Sequence, residues 1–163
     1  DVEVSDALRF TMEWVKDFNL SATGKINPRS IIVKGHPANP SSMAPLRKVF
    51  NEMLPEMNDR AHWIDNMSIH QLIAGARVVV TVNSGVGLEA ILHGKSIFTF
   101  GRSDYDAVTQ KCNGNLLTNK TAALEKSYRK INQADMIDYR KFMDAWYSTH
   151  YDYKDLKTFN KIV

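Results

Sequence analysis

Residues 77–101 read RVVVTVNSGVGLEAILHGKSIFTFG and predict a strand, a tight loop, a helix and a second strand in succession. The run Arg77–Val82 is rich in β-branched residues, which is typical of a strand buried on both faces of a parallel sheet. Two glycines interrupt the run, Leu88–His93 is compatible with a short helix, and Gly94 is a natural stop for it. Residues 96–100 predict the next strand. This order predicts a βαβ unit with parallel strands.

The loop of this unit has the composition of a phosphate or phosphate-sugar site. In open α/β sheets, ligands bind at the carboxyl ends of the strands, where the start of a helix favours anions. Gly85 and Gly87 let the backbone approach an oxyanion, and Ser84 adds a hydroxyl donor. Glu89, one helical turn later, is suited to accept hydrogen bonds from ribose hydroxyls. Alternatively, the glycines only allow close helix–strand packing and Glu89 is a solvated helix residue.

Length and composition are those of one globular domain. The chain has 163 residues, 44% of them hydrophobic, and a formal net charge of +3. Its lysines and arginines are scattered, so we expect no nucleic-acid partner, although an anionic ligand or peripheral contact with a membrane surface is compatible with the charge. No run of roughly 18 apolar residues is present, and we expect no membrane span. A single cysteine, Cys112, excludes an internal disulfide and fits a reducing compartment.

Strands and helices alternate along the rest of the chain. Residues 30–34 predict a second buried strand, residues 61–64 and part of 108–117 predict short ones, and residues 21–30 predict a loop. The predicted helices are the later part of residues 1–20, Met43–Leu54, a segment that ends at Gly75, Thr121–Ile131 and Met136–Tyr147. This alternation predicts an α/β fold, a Rossmann-like doubly wound parallel sheet, formed by residues 1–163 as a single domain.

A second candidate ligand loop, Gly35-His36-Pro37, follows the strand at residues 30–34. One ring nitrogen of His36 can donate to a phosphate oxygen, although a histidine in this position can also be purely structural. Lys34 lies two residues earlier, on the same sheet face as His36 if the strand continues, and is either part of the site or an ordinary strand-end lysine. Two candidate loops at strand ends favour a ligand site.

The sequence has no motif for a metal site. Its histidines lack metal-ligand spacing, and it contains neither a cysteine cluster nor a His-Glu-x-x-His motif. We therefore expect no metal and no other cofactor. The preference of helix N-termini for negative charge is one explanation of the acidic residues near the first helix, including Asp6, and a functional role for them stays open.

Four motifs in order resemble the capsule polysaccharide biosynthesis family, which includes bacterial Kdo transferases of GT-B-like architecture. They are Lys34-Gly-His36-Pro37, Thr81-Val-Asn-Ser-Gly-Val-Gly-Leu-Glu-Ala90, His93-Gly-Lys95 and Gly101-Arg102-x-x-Tyr105-Asp106. The similarity covers residues 31–106. The family often has proline at the position of Gly35 and a second serine or threonine at the position of Gly85.

The resemblance implies a nucleotide-sugar-binding lobe of a GT-B-type glycosyltransferase. The donor would be a CMP-activated 3-deoxy-2-ulosonic acid such as Kdo, used in capsule or lipopolysaccharide assembly without a metal. His36 and Ser84 would contact the CMP phosphate, Glu89 would contact ribose, and Asp6 is the best-placed match to a catalytic acidic residue of the family. The implied donor-binding residues are Lys34, His36, Pro37, Asn83, Ser84, Gly85, Gly87, Glu89 and Arg102.

The resemblance also implies a longer protein, because an enzyme of this architecture has two lobes. The glycan or glycolipid acceptor would be bound mainly by the other lobe. The implied location is the cytoplasm, including the inner face of the bacterial membrane. Two alternatives stay open: a related GT-B transferase that uses a UDP-sugar or a CDP-polyol, and a non-catalytic nucleotide-binding module.

Overall fold

The structure, a computed structural model, describes residues 2–35, 43–111, 117–128 and 131–150. In these residues it contains seven α-helices and five strands, with short 3-10 turns after α3 and before β5. The helices are α1 (Val4–Leu20), α2 (Ala22–Ile26), α3 (Met43–Met53), α4 (Ile69–Gly75), α5 (Val86–Leu92), α6 (Leu117–Ser127) and α7 (Gln133–His150). The strands are β1 (Ile31–Lys34), β2 (Ala61–Ile64), β3 (Val78–Thr81), β4 (Ser96–Thr99) and β5 (Gln110–Lys111).

All strand pairs are parallel, and they form two sheets rather than one. In the first sheet β1 pairs with β2, with Ile31 opposite Ala61. In the second, β3 pairs with β4 and β4 pairs with β5. Among the described residues no ladder joins the two sheets. The predicted α/β class is therefore confirmed, whereas the predicted single doubly wound sheet is not what these residues form.

One face of both sheets packs against a shared hydrophobic core, and α1 is the main helix of that core. Its buried residues include Phe10, whose ring meets Phe100 edge-on with centroids 5.7 Å apart. The strand residues that pack against this core come from both sheets and include Ile31, Val33, Trp63, Val78 and Val80. The two sheets thus share one core although no backbone ladder within the described residues connects them.

The opposite face of the β3–β4 pair is covered by a second core. Ile97 of β4 is buried there with Ile73 of α4, Ile91 of α5 and Met143 of α7, and Val79 of β3 packs against this group. Helices therefore lie on both faces of these two strands, the arrangement expected for buried parallel strands.

The central unit predicted from residues 77–101 is confirmed with small shifts at its ends. The order β3, α5, β4 is as expected, and Gly94 ends α5 in the left-handed conformation with φ at +61°. One detail was wrong: all four residues of β3 are half-buried rather than fully buried.

The loop predicted for residues 21–30 is wrong over its first half, where Ala22–Ile26 form α2. Ser21 caps this helix, because its hydroxyl oxygen accepts from the Gly24 N–H at 3.1 Å. A Cβ on Gly24 would lie 1.9 Å from the carbonyl oxygen of Phe18. Glycine is therefore present here for close packing against α1, and not to break the helix.

Candidate functional site

The loop between β3 and α5 is fixed by hydrogen bonds at both ends. Thr81 Oγ1 accepts from the Ser84 N–H at 3.2 Å, and Ser84 Oγ accepts from the Val86 N–H at 3.3 Å. The Ser84 carbonyl accepts from the Gly87 N–H at 3.0 Å and from the hydroxyl of Tyr105. The turn is therefore ordered by contacts within the protein.

Three groups of this loop remain available to a ligand. Asn83, Ser84 and Gly85 are exposed. Within the described part of the chain, neither the Asn83 side chain nor the Gly85 N–H has a hydrogen-bond partner. The Ser84 hydroxyl accepts one bond and keeps its own proton available for donation. An anionic group above the loop would therefore meet up to three donors.

The first turn of α5 offers fewer free hydrogen-bond donors than its sequence suggested. The Gly87 N–H is bonded to the Ser84 carbonyl at 3.0 Å and the Leu88 N–H to the Gly85 carbonyl at 2.9 Å. Since the Val86 N–H is taken by Ser84 Oγ, the donors that face outward belong to the loop and not to the helix.

The two loop glycines have different environments. A Cβ on Gly85 would meet no atom within 4 Å, so a larger residue would fit there. A Cβ on Gly87 would lie 2.2 Å from the ring of Tyr105, which is buried. Gly87 is thus required by packing, as the structural alternative held, while Gly85 leaves open space above the loop.

Tyr105 holds the loop after β4 against the loop after β3. Burial raises the pKa of the Tyr105 hydroxyl, and the neighbouring carboxylates of Asp106 and Asp104 raise it further. The hydroxyl therefore stays protonated in the neutral range and donates to the Ser84 carbonyl.

Glu89 has a buried carboxylate oxygen that no donor satisfies. Among the described residues, its Oε2 makes no hydrogen bond. Burying a carboxylate oxygen is costly unless a donor pairs with it, and such groups in folded proteins call for an explanation. Glu89 is half-buried, so it is not a solvated helix residue. Its position one turn after the exposed loop fits an acceptor for ligand hydroxyls.

A second polar cluster lies at the carboxyl ends of β1 and β2. Asp65, directly after β2, accepts from Trp63 Nε1 at 2.7 Å and from Arg47 at 2.5 Å. Lys34 Nζ donates to the Asp65 carbonyl at 2.6 Å. A Cβ on Gly35 would lie 2.7 Å from Asp65 Oδ1, which explains glycine at this position. Of these residues, the sequence analysis named Lys34 and Gly35 and missed Arg47, Trp63 and Asp65. An acidic residue directly after a strand was the available signal.

Arg102 is exposed and lies beside the β3–α5 loop. The preceding Gly101 donates its N–H to the Val82 carbonyl at 2.9 Å, which brings the chain after β4 next to the chain after β3. No hydrogen bond of the Arg102 side chain is formed with the described residues. Its guanidinium is therefore available at the edge where Ser84 is exposed.

His36 and Pro37 lie outside the described residues, and their roles stay predictions. Asp6 is exposed in the first turn of α1 and has no hydrogen bond or ion pair within the described residues, so the structure does not bring it into contact with Ser84 or Glu89. One turn later, Phe10 contacts Phe100 just after β4. The start of α1 thus lies toward the carboxyl edge of the strands.

The residues described by the structure contain no group of three histidine, cysteine or acidic side chains placed to hold a metal ion. None of the helices in the same residues is both long enough and apolar enough to cross a membrane.

The model of a family described as capsule polysaccharide biosynthesis protein matches residues 17–147. The chain belongs to this family. It is also 33% identical over 118 residues to Protein FixF of Sinorhizobium fredii (strain NBRC 101917 / NGR234), a match that covers 68% of the chain and 27% of FixF. The chain thus spans about a quarter of the length of this relative. No solved structure matches the chain.

Membership of the capsule polysaccharide biosynthesis family links the chain to capsule synthesis. The matched residues include Lys34, the exposed loop from Asn83 to Gly85, Glu89 and Arg102. Asp6 precedes the matched residues, so family membership gives it no support.

Proposed function

We propose that the chain is the donor-binding lobe of a glycosyltransferase in capsule polysaccharide synthesis. The observation that carries the proposal is the buried Oε2 of Glu89, which has no hydrogen-bond partner in the described part of the chain and lies one helical turn from the exposed donors of Ser84 and Gly85. A nucleotide sugar supplies what both groups need, because its phosphate oxygens accept hydrogen bonds and its ribose hydroxyls donate them. Family membership supports the same function.

The chemistry is transfer of a sugar from the nucleotide to an acceptor hydroxyl. An oxocarbenium-like transition state forms at the anomeric carbon while the phosphate leaves with negative charge. The Ser84 hydroxyl and the Gly85 N–H stabilise that charge by donating to the phosphate, with His36 as a further donor. Arg102 adds a cation at the same edge, and Asp6 is the proposed catalytic carboxylate.

Within this function, the proposed donor is a CMP-activated 3-deoxy-2-ulosonic acid such as Kdo, bound without metal. The four motifs of the sequence support it. A ulosonic acid carries a carboxylate, for which Arg102 is a cation without a hydrogen-bond partner among the described residues. Lys34, which donates to the Asp65 backbone carbonyl, adds a second positive charge at the carboxyl ends of the strands, whereas Arg47 is already paired with the Asp65 carboxylate. The acceptor, a glycan or glycolipid, is held mainly by a second lobe, in the cytoplasm at the inner face of the membrane.

Glu89→Gln is expected to weaken nucleotide binding about 10- to 100-fold, the effect of losing a hydrogen bond to a charged group. Because the substitution removes the charge of a carboxylate whose buried Oε2 has no hydrogen-bond partner among the described residues, the melting temperature of the free protein should stay unchanged or rise. Calorimetric titration with CMP and thermal unfolding measure the two quantities.

The control for this experiment is Glu13→Gln, which changes an exposed glutamate on α1 and should alter neither quantity. Unchanged affinity in Glu89→Gln, or a loss of stability that matches the loss of affinity, would show that Glu89 is structural and would overturn its assignment.

CMP is expected to bind at least about tenfold more tightly than UDP, CDP or GDP in metal-free buffer, a preference of about 1.4 kcal/mol. Side-by-side calorimetric titrations measure it. Preference for UDP or CDP would favour the related transferases, and the absence of any nucleotide binding would contradict the donor-lobe function. Asp6→Asn in a two-lobed protein distinguishes a transferase from a non-catalytic nucleotide-binding module. Loss of sugar transfer would support the transferase, because a module would not depend on this carboxylate.

A further inference from the structure

The strand order of the two sheets matches a classic nucleotide-binding sheet that lacks one strand. The described strands run β2–β1 in one sheet and β3–β4–β5 in the other. The classic doubly wound order is 3-2-1-4-5-6. In that order, β2 and β1 would occupy positions 3 and 2, and β3, β4 and β5 would occupy positions 4, 5 and 6. Position 1, at the centre of the sheet, would then have no strand among the described residues.

Helix α1 lies where the helix that follows strand 1 would lie. On the side of the first sheet, Arg9 pairs with Glu52 of α3 at 2.9 Å. On the side of the second sheet, Phe10 packs edge-on against Phe100, which follows β4. The core beneath α1 contains residues of both sheets. The helix therefore spans the boundary between them.

One edge of β1 forms no ladder with the described residues. The Ile31 N–H donates to the Arg60 carbonyl at 2.8 Å, so the backbone groups of Ile31 face the side of β2. Along a strand, the N–H and C=O of successive residues point to alternate sides. The backbone groups of Ile32 and Lys34 therefore face away from β2.

One edge of β3 likewise forms no ladder with the described residues. The Thr81 carbonyl accepts from the Phe100 N–H at 3.0 Å, which places the backbone groups of Thr81 on the side of β4. Those of Val78 and Val80 face the other way. A row of N–H and C=O groups without ladder partners is a template on which another strand can pair.

We propose that a strand joined to the amino end of α1 in the same polypeptide inserts between β1 and β3, parallel to both, and completes one six-stranded sheet. A strand that leads through a helix to a parallel strand of the same sheet crosses over with right-handed geometry. Applied to a strand that precedes α1 in sequence, this rule places that strand beside β1 in the sheet. Val2, two residues before the first residue of α1, already packs against the shared core.

The proposed strand is short, apolar and β-branched. β1 and β3 have four residues each and are dominated by valine and isoleucine, so a strand of similar length and composition fits between them. FixF, of which the match covers 27%, shows that relatives contain much more polypeptide than this stretch. The inserted strand would end between Lys34 and Ser84, at the point where doubly wound sheets bind their ligands. The proposal does not depend on the proposed function.

Amide hydrogen exchange, followed residue by residue by NMR, tests the proposal. In the 163-residue chain, the amides of Ile32, Lys34, Val78 and Val80 should exchange at least about 100-fold faster than the laddered amide of Val33. A chain extended before Asp1 by Val-Thr-Val-Ile-Val and the short linker Ser-Asn-Gly should show slow exchange at all five positions and a higher melting temperature. The control extension has the same length and contains only glycine and serine.

Three results would overturn the proposal. The first is slow exchange of the four edge amides in the monomeric 163-residue chain. The second is an extension that neither slows these amides nor raises the melting temperature above that of the control. The third is slow exchange that appears only with dimerisation of the unextended chain, because a second copy would then be the occupant of the edge.

Discussion

Replacing Glu125 with alanine is expected to lower the free energy of unfolding by about 3 kcal/mol, at the lower end of the cost of breaking a buried ion pair. Glu125 accepts two hydrogen bonds from the Arg29 guanidinium, at 2.7 and 3.0 Å, and one from Trp14 Nε1 at 2.9 Å. The side chain of Arg29 is only 7% exposed, whereas that of Glu125 is 43% exposed. The substitution therefore leaves a buried cation without its carboxylate.

Three aromatic rings keep water away from the Arg29 guanidinium. Its central carbon lies 4.2 Å from the ring centroid of Trp14, 3.3 Å from that of Phe18 and 4.0 Å from that of Tyr128. Cation–π contacts stabilise the charge, but they do not replace hydrogen bonds to a carboxylate. In Glu125→Ala the guanidinium therefore loses both of its hydrogen bonds to a carboxylate while the three rings still surround it.

Urea denaturation measures the loss, and Glu52→Ala is the matched control. Glu52 pairs with Arg9 at 2.9 Å, but both side chains are more than two-fifths exposed, so its loss should cost less than about 1 kcal/mol. Equal destabilisation by the two substitutions would contradict the role given to the buried pair.

The ion pair between Arg29 and Glu125 also makes the free energy of unfolding depend on pH. Hydrogen bonding from Arg29, which outweighs desolvation, lowers the pKa of Glu125 below its ordinary value of 4.5. A carboxylate with a depressed folded-state pKa contributes stability that is fully present above its unfolded-state pKa. That contribution is lost as the pH falls through the folded-state pKa. The stability difference between the protein and Glu125→Gln should therefore shrink below about pH 4.5.

Gly87→Ala is expected to destabilise the protein by about 3 kcal/mol, at the upper end of the usual cost of overpacking. The added Cβ would lie 2.2 Å from Tyr105 Cζ, and Tyr105 is only 2% exposed. The ring cannot move aside without breaking the hydrogen bond from its hydroxyl to the Ser84 carbonyl. The same change should therefore also disturb the loop that presents the Ser84 hydroxyl.

Gly85→Ala is the control for this prediction, since a Cβ there would meet no atom within 4 Å. It should change the free energy of unfolding by less than about 0.5 kcal/mol, as a surface substitution usually does. Thermal and urea unfolding of both variants measure the difference. Similar stability of the two variants would show that Tyr105 does not restrict position 87.

The parts of the fold that could be predicted from sequence depend on local signals. The β-branched run at β3, the glycines after it and Gly94 at the end of α5 are short-range patterns, and these elements lie where expected. The pair of Arg29 with Glu125 joins residues 96 positions apart, and no local pattern marks it. The pairing of strands into two sheets is likewise a long-range property that residue periodicity does not encode.

In the candidate site, too, residues close together in sequence were predicted, and residues brought together by long-range contacts were not. Ser84, Gly85 and Glu89 were predicted together because they lie within six residues of one loop and helix. The cluster of Arg47, Trp63 and Asp65 was not predicted, because it depends on long-range contacts. The pairing of β1 with β2 brings Trp63 and Asp65 to Lys34 and Gly35, and Arg47 of α3 joins them through its contact with Asp65. Helix α2 was missed because a glycine such as Gly24 looks the same in sequence whether it interrupts a helix or allows close packing within one.

If the β3–α5 loop binds the proposed nucleotide sugar, the hydrogen bonds that Thr81, Ser84 and Tyr105 make within and around it affect the thermodynamics of binding. A loop already ordered in the free protein loses little conformational entropy when a ligand arrives, so more of the interaction energy appears as affinity. Association at such a preorganised surface requires no closure of this segment, and its rate is set by encounter and orientation. Differences in affinity among related ligands should accordingly reside mainly in how fast each one leaves.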